Sequence, residues 1–499
     1  MGRVLGVVLS VLCVWRGAIA QDLQAAFDGL RQRTEMGATS MSAIAIDGRN
    51  GRVLWSHHAD EAKIPASNMK LLTSGAALMV LGPDFAFETR LVDAGNRIVL
   101  IGSGDPALGD PAVLQRGENS MTFDDLIDSM VQAVVQRGIK AVEEIVIDDR
   151  VFDRNYVHET WPIDQLNRAY CAEVAGVNLH ANVLTVFMSP APGGRGLPEY
   201  RTEPTVPWVE IENLARTVQS GRQTAWVARP LPENRFQLRG DVAFAGAAPV
   251  EVAFHEPPLM AGRILADRLS KAGVRVGLAG RAQGIDAVRL VEPNERLATG
   301  QPLVVVRTSI ADVLRQCNTE SHNLYAEALI KRLAHEVSHE PGSWEAGAAV
   351  IRMLLSERLG PDTASRTRIA DGSGMSRENR VSAQTLAAWL REIDRNEAIR
   401  GAMLESLATP GVGTLRQRFG EITLSNQVFA KSGYLNGVRS LSGYVIAPSG
   451  NRVIFAMLLN DIPAGVATQN TKLFLERCVD LADDWLADQE PISEGRLGG

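Results

Sequence analysis

The chain has 499 residues, of which 45% are hydrophobic, 22% charged and 5% aromatic, with 51 basic against 58 acidic side chains. That balance belongs to a globular protein of about three domains, at roughly 100–200 residues each, and excludes disordered, collagenous and polytopic membrane chains. A net charge of −7 offers no basic footprint for nucleic acid, and four cysteines in this length cannot form a disulfide scaffold.

Residues 1–20 read as a secretory signal peptide. Arg3 is basic, Val4 to Trp15 are apolar, and Ala18-Ile19-Ala20 offers a small-x-small cleavage site before Gln21. The apolar run is shorter than the ~20 residues of a membrane span, which disfavours an uncleaved anchor. Cys13 follows Leu12 and makes no lipoprotein site. Cleavage would remove two arginines and no acids, moving the net charge from −7 to −9. Cys171, Cys317 and Cys478 would remain, an odd set that leaves at least one thiol unpaired. No later segment is long and apolar enough to span a bilayer, so the expectation is an exported chain with no integral span. A homo-oligomer and a loose membrane association stay open.

Leu23, Ala26, Phe27 and Leu30 recur at helical spacing. Ser42 to Asp47 and Arg52 to Ser56 read as strands around a Gly48-Arg49-Asn50-Gly51 turn. Pro65 then opens a helix that Gly82-Pro83 stops after Leu81. From about Phe85 to Gly300 short strands dominate: Arg97 to Ile101, Glu144 to Asp148, Asn182 to Met188, Arg235 to Arg239. Helical patterns fall at Phe123 to Gln136 and Met260 to Ala272, and Pro190 to Pro207 reads as loop. Helices return at Ile310 to Cys317 and Leu324 to Leu333. Strands follow at Val428 to Gly433, Leu441 to Ile446 and Val453 to Leu459, and an amphipathic helix spans Phe474 to Trp485. The tail beyond Asp488 reads as loose. Helices around antiparallel strands at both ends, with a different middle, predict one domain interrupted by an insertion.

Three motifs carry chemistry. Ser67 and Lys70 stand at i and i+3 at a helix start, where they share a face. A serine hydroxyl needs a neighbouring base, and a lysine serves when burial or a second cation favours its neutral form. The helix N-terminus adds N–H groups where an oxyanion would develop. Ser321-His322-Asn323 supplies a second hydroxyl and an amide between two helices. Lys431-Ser432-Gly433 ends a strand with a cation, a hydroxyl and a glycine that admits a substrate backbone. Each motif alone is weak, but S-x-x-K with S-D-N and K-T-G in order is the signature shared by class A β-lactamases and penicillin-binding proteins, and all three have counterparts here in that order.

With these motifs on one chain, the sequence resembles the low-molecular-mass class C penicillin-binding proteins, the D-alanyl-D-alanine carboxypeptidase/endopeptidase family of clan SE. Asn318 to Glu327, Asp371 to Ser382, Gly413 to Phe419 and Lys431 to Val445 look like family segments, and Leu100 to Leu108 fits the inserted region. Ser67 and Ser321 lie 254 positions apart and Ser321 and Lys431 110 apart; the long first interval resembles the class with extra subdomains there. The resemblance implies an α/β (α+β) fold: a β-lactamase/transpeptidase-like domain with an antiparallel sheet flanked by helices (21–86 and 300–488). A mainly β insertion at 87–299 would form two subdomains, about 87–169 and 170–299, and 489–499 would be the tail.

The roles it implies are these. Ser67 attacks the carbonyl of the penultimate D-alanine with Lys70 as base. Ser321 relays the proton to the leaving D-alanine, and Asn323 holds Lys70 and the substrate amide. Lys431 and Ser432 bind the terminal carboxylate, and the N–H groups of Ser67 and Tyr434, beside Gly433, form the oxyanion hole. Asp148 and Arg377 match positions that contact the stem-peptide side chain. Peptidoglycan stem peptides would be substrates and β-lactams covalent inhibitors, with no cofactor and no metal. His322 for the usual Asp and Ser432 for the usual Thr are the two departures, and the second keeps the hydroxyl.

Two other readings compete. His335-Glu336-Val337-Ser338-His339 matches H-E-x-x-H, a zinc peptidase signature, but Pro341 ends its helix and three serine motifs outweigh it. A non-catalytic peptidoglycan-binding protein would not need Ser67, Lys70 and Lys431 together.

Overall fold

The computed structural model describes residues 23–490 apart from 118–119, 231, 247 and 298–299. The expected signal peptide and the tail from residue 491 lie outside the described residues. The last helix continues through Gln489, and Glu490 accepts hydrogen bonds from Ser449 Oγ (2.7 Å) and Asn451 Nδ2 (2.9 Å). The chain forms two compact units, one of residues 23–83, 314–322 and 348–490, the other of 84–313 and 323–347.

The first unit is built on a five-stranded antiparallel sheet in the order Val53–His57, Ser40–Asp47, Arg452–Asn460, Val438–Ile446, Gln427–Leu435. Its central strand runs Val453-Ile454-Phe455-Ala456-Met457-Leu458-Leu459, all buried. An unbroken apolar run of this kind has no solvent face, so both sides of the sheet must be covered. Residues 23–33 and helix Thr468–Gln489 cover one side, where Phe27 stacks on Trp55 at 4.5 Å and tilts against Phe474. Helix Ala383–Arg395 packs against the sheet and against helix Met69–Leu81. Tyr444 donates to Leu390 O (2.8 Å) and Trp389 Nε1 to Leu71 O (3.1 Å), so both buried polar tips are satisfied.

The second unit holds a mixed five-stranded sheet, order Val288–Leu290, Glu144–Asp148, Arg97–Ile101, Ala86–Asp93, Gln301–Ser309. Its first three strands are parallel and the rest antiparallel. Helices Phe123–Gln136, closed by a Thr122–Asp125 capping box, and Pro257–Lys271 contribute to its apolar core.

Three features differ from the sequence reading. The Pro190 to Pro207 stretch contains strand Glu199–Glu203, paired antiparallel with Val183–Ser189; its polar, exposed residues show no apolar alternation. Strand Gln301–Ser309 hydrogen-bonds to Ala86–Asp93, and helix Asn323–Ser338 clusters with the second unit. Helices Trp344–Leu359, Pro361–Arg366, Ala383–Arg395 and Glu397–Ser406 fill a stretch the sequence left unassigned.

Candidate active site

The helix opened by Pro65 begins as a 3-10 turn, Ala66–Asn68, and becomes α-helical at Met69. Ala66 is left-handed (φ 47°) immediately before Ser67. That conformation costs a non-glycine residue about 1–2 kcal/mol and persists where neighbours over-determine it. They do so here. Ser440 Oγ donates to Pro65 O (2.7 Å), and Gly374 (φ +86°) lies so close that a Cβ there would sit 1.8 Å from Ala66 O. One helical turn on, Lys70 is fully buried, with Nζ 3.2 Å from Ser67 Oγ and 2.9 Å from Ser373 O. Asn68, between them, is a strut: its Nδ2 donates to Lys431 O (2.7 Å) and its Oδ1 accepts from Ser442 Oγ (2.6 Å).

Strand Gln427–Leu435 is the edge of the antiparallel sheet and carries the third motif. Lys431 Nζ reaches Ser321 Oγ at 2.8 Å and Ser432 O at 2.7 Å. Burial first, and then the charge of Lys70, push the Lys431 amine well below its ordinary range, with Cys317 opposing. At Gly433 an added Cβ would stand 2.1 Å from Ser440 Oγ and 2.9 Å from Ser67 N, so only glycine lets this strand pass the serine turn. Ala430 N–H donates outward to Ala408 O (2.8 Å). Strand alternation turns the N–H groups of Ser432 and Tyr434 to that same open edge. The Tyr434 ring is exposed and lies under the Arg439 guanidinium, 3.9 Å from its centroid.

Ser321 is also left-handed (φ 62°), just beyond helix Ile310–Asn318. The helix end is fixed around it. Ser74 Oγ donates to Asn318 Oδ1 (3.1 Å), Asn318 Nδ2 to Ser406 Oγ (2.9 Å) and Thr319 Oγ1 to Ser406 O (2.6 Å).

The first unit therefore brings together Ser67, Lys70, Ser321, Lys431, Ser432, Gly433 and Tyr434. Arg377 lies in the same unit, where its guanidinium donates to Asn436 O (3.0 and 2.6 Å). Asn323 and Asp148 belong to the second unit. Asn323 Nδ2 donates to Tyr170 O (2.9 Å), and Asp148 forms a forked pair with Arg150 (2.8 and 2.7 Å). The H-E-x-x-H segment does not build a chelating face. Helix Asn323–Ser338 ends before His339, which is left-handed (φ 60°), and Glu336 takes Arg332 Nη2 at 2.8 Å. His335 Nδ1 lies 2.8 Å from Glu340 O.

Sequence reasoning missed the Ser373 carbonyl, Gly374, and the supports Asn68, Ser440 and Ser442. A signal existed for the last two. Two serines at i and i+2 on a strand that is otherwise apolar from Leu441 to Ile446 point to one face, and buried hydroxyls need partners.

A buried lysine one helical turn from a serine that follows a strained residue, with a second lysine–serine pair at the sheet edge, defines a serine-type acyl-transfer peptidase of the penicillin-binding class. The profile of the D-Ala-D-Ala carboxypeptidase 3 (S13) family matches residues 23–477, and the chain belongs to that family. It is 30% identical over 489 residues to a D-alanyl-D-alanine carboxypeptidase of Actinomadura sp. (strain R39), covering 91% of this chain and 84% of that one. It is 24% identical to D-alanyl-D-alanine carboxypeptidase DacB of Haemophilus influenzae, covering 87% and 88%. The crystal structure of penicillin binding protein 4 (dacB) from Haemophilus influenzae superposes with a TM-score of 0.73 at 22% identity, covering 91% of this chain and 98% of that one. The chain is thus a serine-type D-Ala-D-Ala carboxypeptidase with a mixed α/β fold like that of penicillin binding protein 4.

Proposed function

We propose that Ser67 is the nucleophile that takes the acyl group of a peptidoglycan stem peptide ending in D-Ala-D-Ala. The observation that carries this is the Lys70 Nζ–Ser67 Oγ contact of 3.2 Å, held by the buried Ser373 carbonyl. A substrate carboxylate at Lys431 and Ser432 holds the positive charge on Lys431, which leaves Lys70 as the amine that accepts the Ser67 proton. The alkoxide attacks the penultimate carbonyl, and the developing oxyanion sits between the N–H groups of Ser67 and Tyr434. The proton that Lys70 took from Ser67 reaches the departing amine through Ser321, which is bonded to Lys431. The family resemblance assigns Asn323 the substrate amide. Water then attacks the acyl-enzyme and releases the shortened peptide, and a second stem peptide as leaving group makes the same chemistry an endopeptidase.

Asp148, from the first of two inserted subdomains (87–169 and 170–299), and Arg377 contact the stem-peptide side chain. Among the described residues no helix is long and apolar enough to cross a membrane. A signal peptide at 1–20 would export the chain to the periplasm, where its substrate lies and where β-lactams acylate Ser67. Ser67→Ala should leave binding intact and abolish D-alanine release from a disaccharide pentapeptide, measured by coupled D-alanine detection. Undiminished release would refute the assignment.

A further inference from the structure

The second unit contains a three-stranded sheet, order Ile211–Asn213, Phe236–Arg239, Trp226–Ala228, with one buried and one open face. Phe236, Leu238 and Val227 point to the core, at 1%, 0% and 3% exposure. The register places the alternate residues on the open face in rows. Trp226 stands opposite Arg239, and Ala228 and Glu212 flank Gln237. Leu214, whose N–H donates to Leu238 O, continues the parallel register opposite Arg239. One row is therefore Leu214–Arg239–Trp226, and the next is Glu212–Gln237–Ala228. Trp226 is 41% exposed and Leu214 47%, although tryptophan is on average among the most buried residue types.

The polar groups of this face are pre-arranged. Gln237 Nε2 donates to Glu212 Oε2 (2.7 Å), and Arg239 donates to Gln237 Oε1 through Nε (3.2 Å) and Nη2 (2.7 Å). Beyond them Arg235 pairs with Glu210 at 2.7 Å. Arg235 and Arg239 are matched by Glu210 and Glu212, with Glu233 also acting on Arg235, so the face carries planar donors and acceptors beside an indole but no net positive charge. An anionic polymer or lipid surface would find nothing to neutralise. A neutral polymer of pyranose rings, with apolar C–H faces and a rim of hydroxyl and acetamido groups, matches both elements. At ~3.4 Å per residue along a strand and ~4.8 Å between strands, the two rows together with the Arg235–Glu210 pair offer a platform about 10 Å by 14 Å, the scale of two to three sugar rings.

We propose that this face docks the glycan strand of peptidoglycan, with Trp226 stacking on an N-acetylated hexosamine and Glu212, Gln237 and Arg239 bonding its substituents. The inference rests on the stem-peptide reading above and adds a second, non-catalytic contact with the same polymer. Through this contact the inserted region retains the enzyme on the strand whose peptides it trims.

The test is co-sedimentation of the full chain with glycan strands stripped of stem peptides by an amidase. It is paired with titration against a β-1,4-linked N-acetylglucosamine hexamer and with D-alanine release from a soluble pentapeptide. The unsubstituted chain should bind stripped strands, and Trp226→Ala should bind about tenfold more weakly with pentapeptide turnover unchanged. Trp226→Tyr should restore most of the binding. Glu212→Gln with Arg239→Gln, which leaves the apolar residues in place, should weaken binding without altering the melting temperature. Equal binding by Trp226→Ala, or retention only by peptide-bearing strands and lost on penicillin treatment, would overturn the proposal. Pentapeptide turnover reports separately on the catalytic reading.

Discussion

Lys431 Nζ lies 2.8 Å from Ser321 Oγ, across 110 positions of sequence and between a sheet edge and a helix end. The contact joins the second and third motifs into one hydrogen-bonded lysine–serine pair, beside a first pair made by Lys70 and Ser67. Both hydroxyls are held by backbone in the left-handed region at or next to the serine: φ 47° at Ala66 and φ 62° at Ser321. Strain maintained at two hydroxyl-bearing turns is the pattern expected where positioning outweighs local preference.

Lys70 must lose a proton to act as base, which a guanidinium cannot do. Lys70→Ala and Lys70→Arg should both slow acylation by benzylpenicillin, by about 10²–10⁴-fold, the range of general-base catalysis. Stopped-flow acylation rates check this, and rescue by arginine would show that charge alone is needed.

The depressed Lys431 amine sets a pH dependence. Only its protonated form pairs with a substrate carboxylate, so kcat/KM for D-Ala-D-Ala peptides should fall on the alkaline side at a pH below the ordinary lysine value of ~10.4. Lys431→Arg should remove that limb from the accessible range. Stability moves in the opposite sense. Between the folded and unfolded values the unfolded chain binds more protons at this site, so its contribution makes the fold more stable as pH rises through that window.

Gly433→Ala would drive a methyl into Ser440 Oγ and the Ser67 amide. The expected cost is about 1–3 kcal/mol of stability, with acylation reduced more than tenfold. Combining it with Ser440→Ala should recover melting temperature but not acylation, because the contact at 2.9 Å from Ser67 N remains.

Asn68 ties the serine turn to the neighbouring strands through Lys431 O and Ser442 Oγ. Asn68→Ala leaves two buried partners unpaired and should cost about 2–4 kcal/mol at ~1–2 kcal/mol per group. Ser442→Ala should cost less, and the double variant should be less destabilised than the sum of the singles. Denaturant unfolding of the three variants measures each term.

What the sequence disclosed followed from local rules. Ser67 and Lys70 were legible because three residues along a helix make neighbours. Strand Arg452–Asn460 was legible because its core residues form an unbroken apolar run. What it hid depended on partners far along the chain. Strand Gln301–Ser309 joins the second unit's sheet by pairing with Ala86–Asp93, which no property of its own residues announces. Strand Glu199–Glu203 is polar at a sheet edge and lacks alternation. Helix Trp344–Leu359 buries one face (Trp344, Ala348, Ile351, Leu355), but its open face carries the apolar Ala349 and Met353, which blurs the one-sided periodicity that marks an amphipathic helix in sequence. The Ser373 carbonyl on Lys70 is a main-chain group, and a side-chain motif cannot encode which carbonyl will face the site.

Incubation with labelled penicillin, followed by intact mass and peptide mapping, tests the Ser67 assignment most directly. One penicilloyl group per chain on the peptide containing Ser67, absent from folded Ser67→Ala, is the expected result. An adduct on another residue, or none on folded protein, would contradict it.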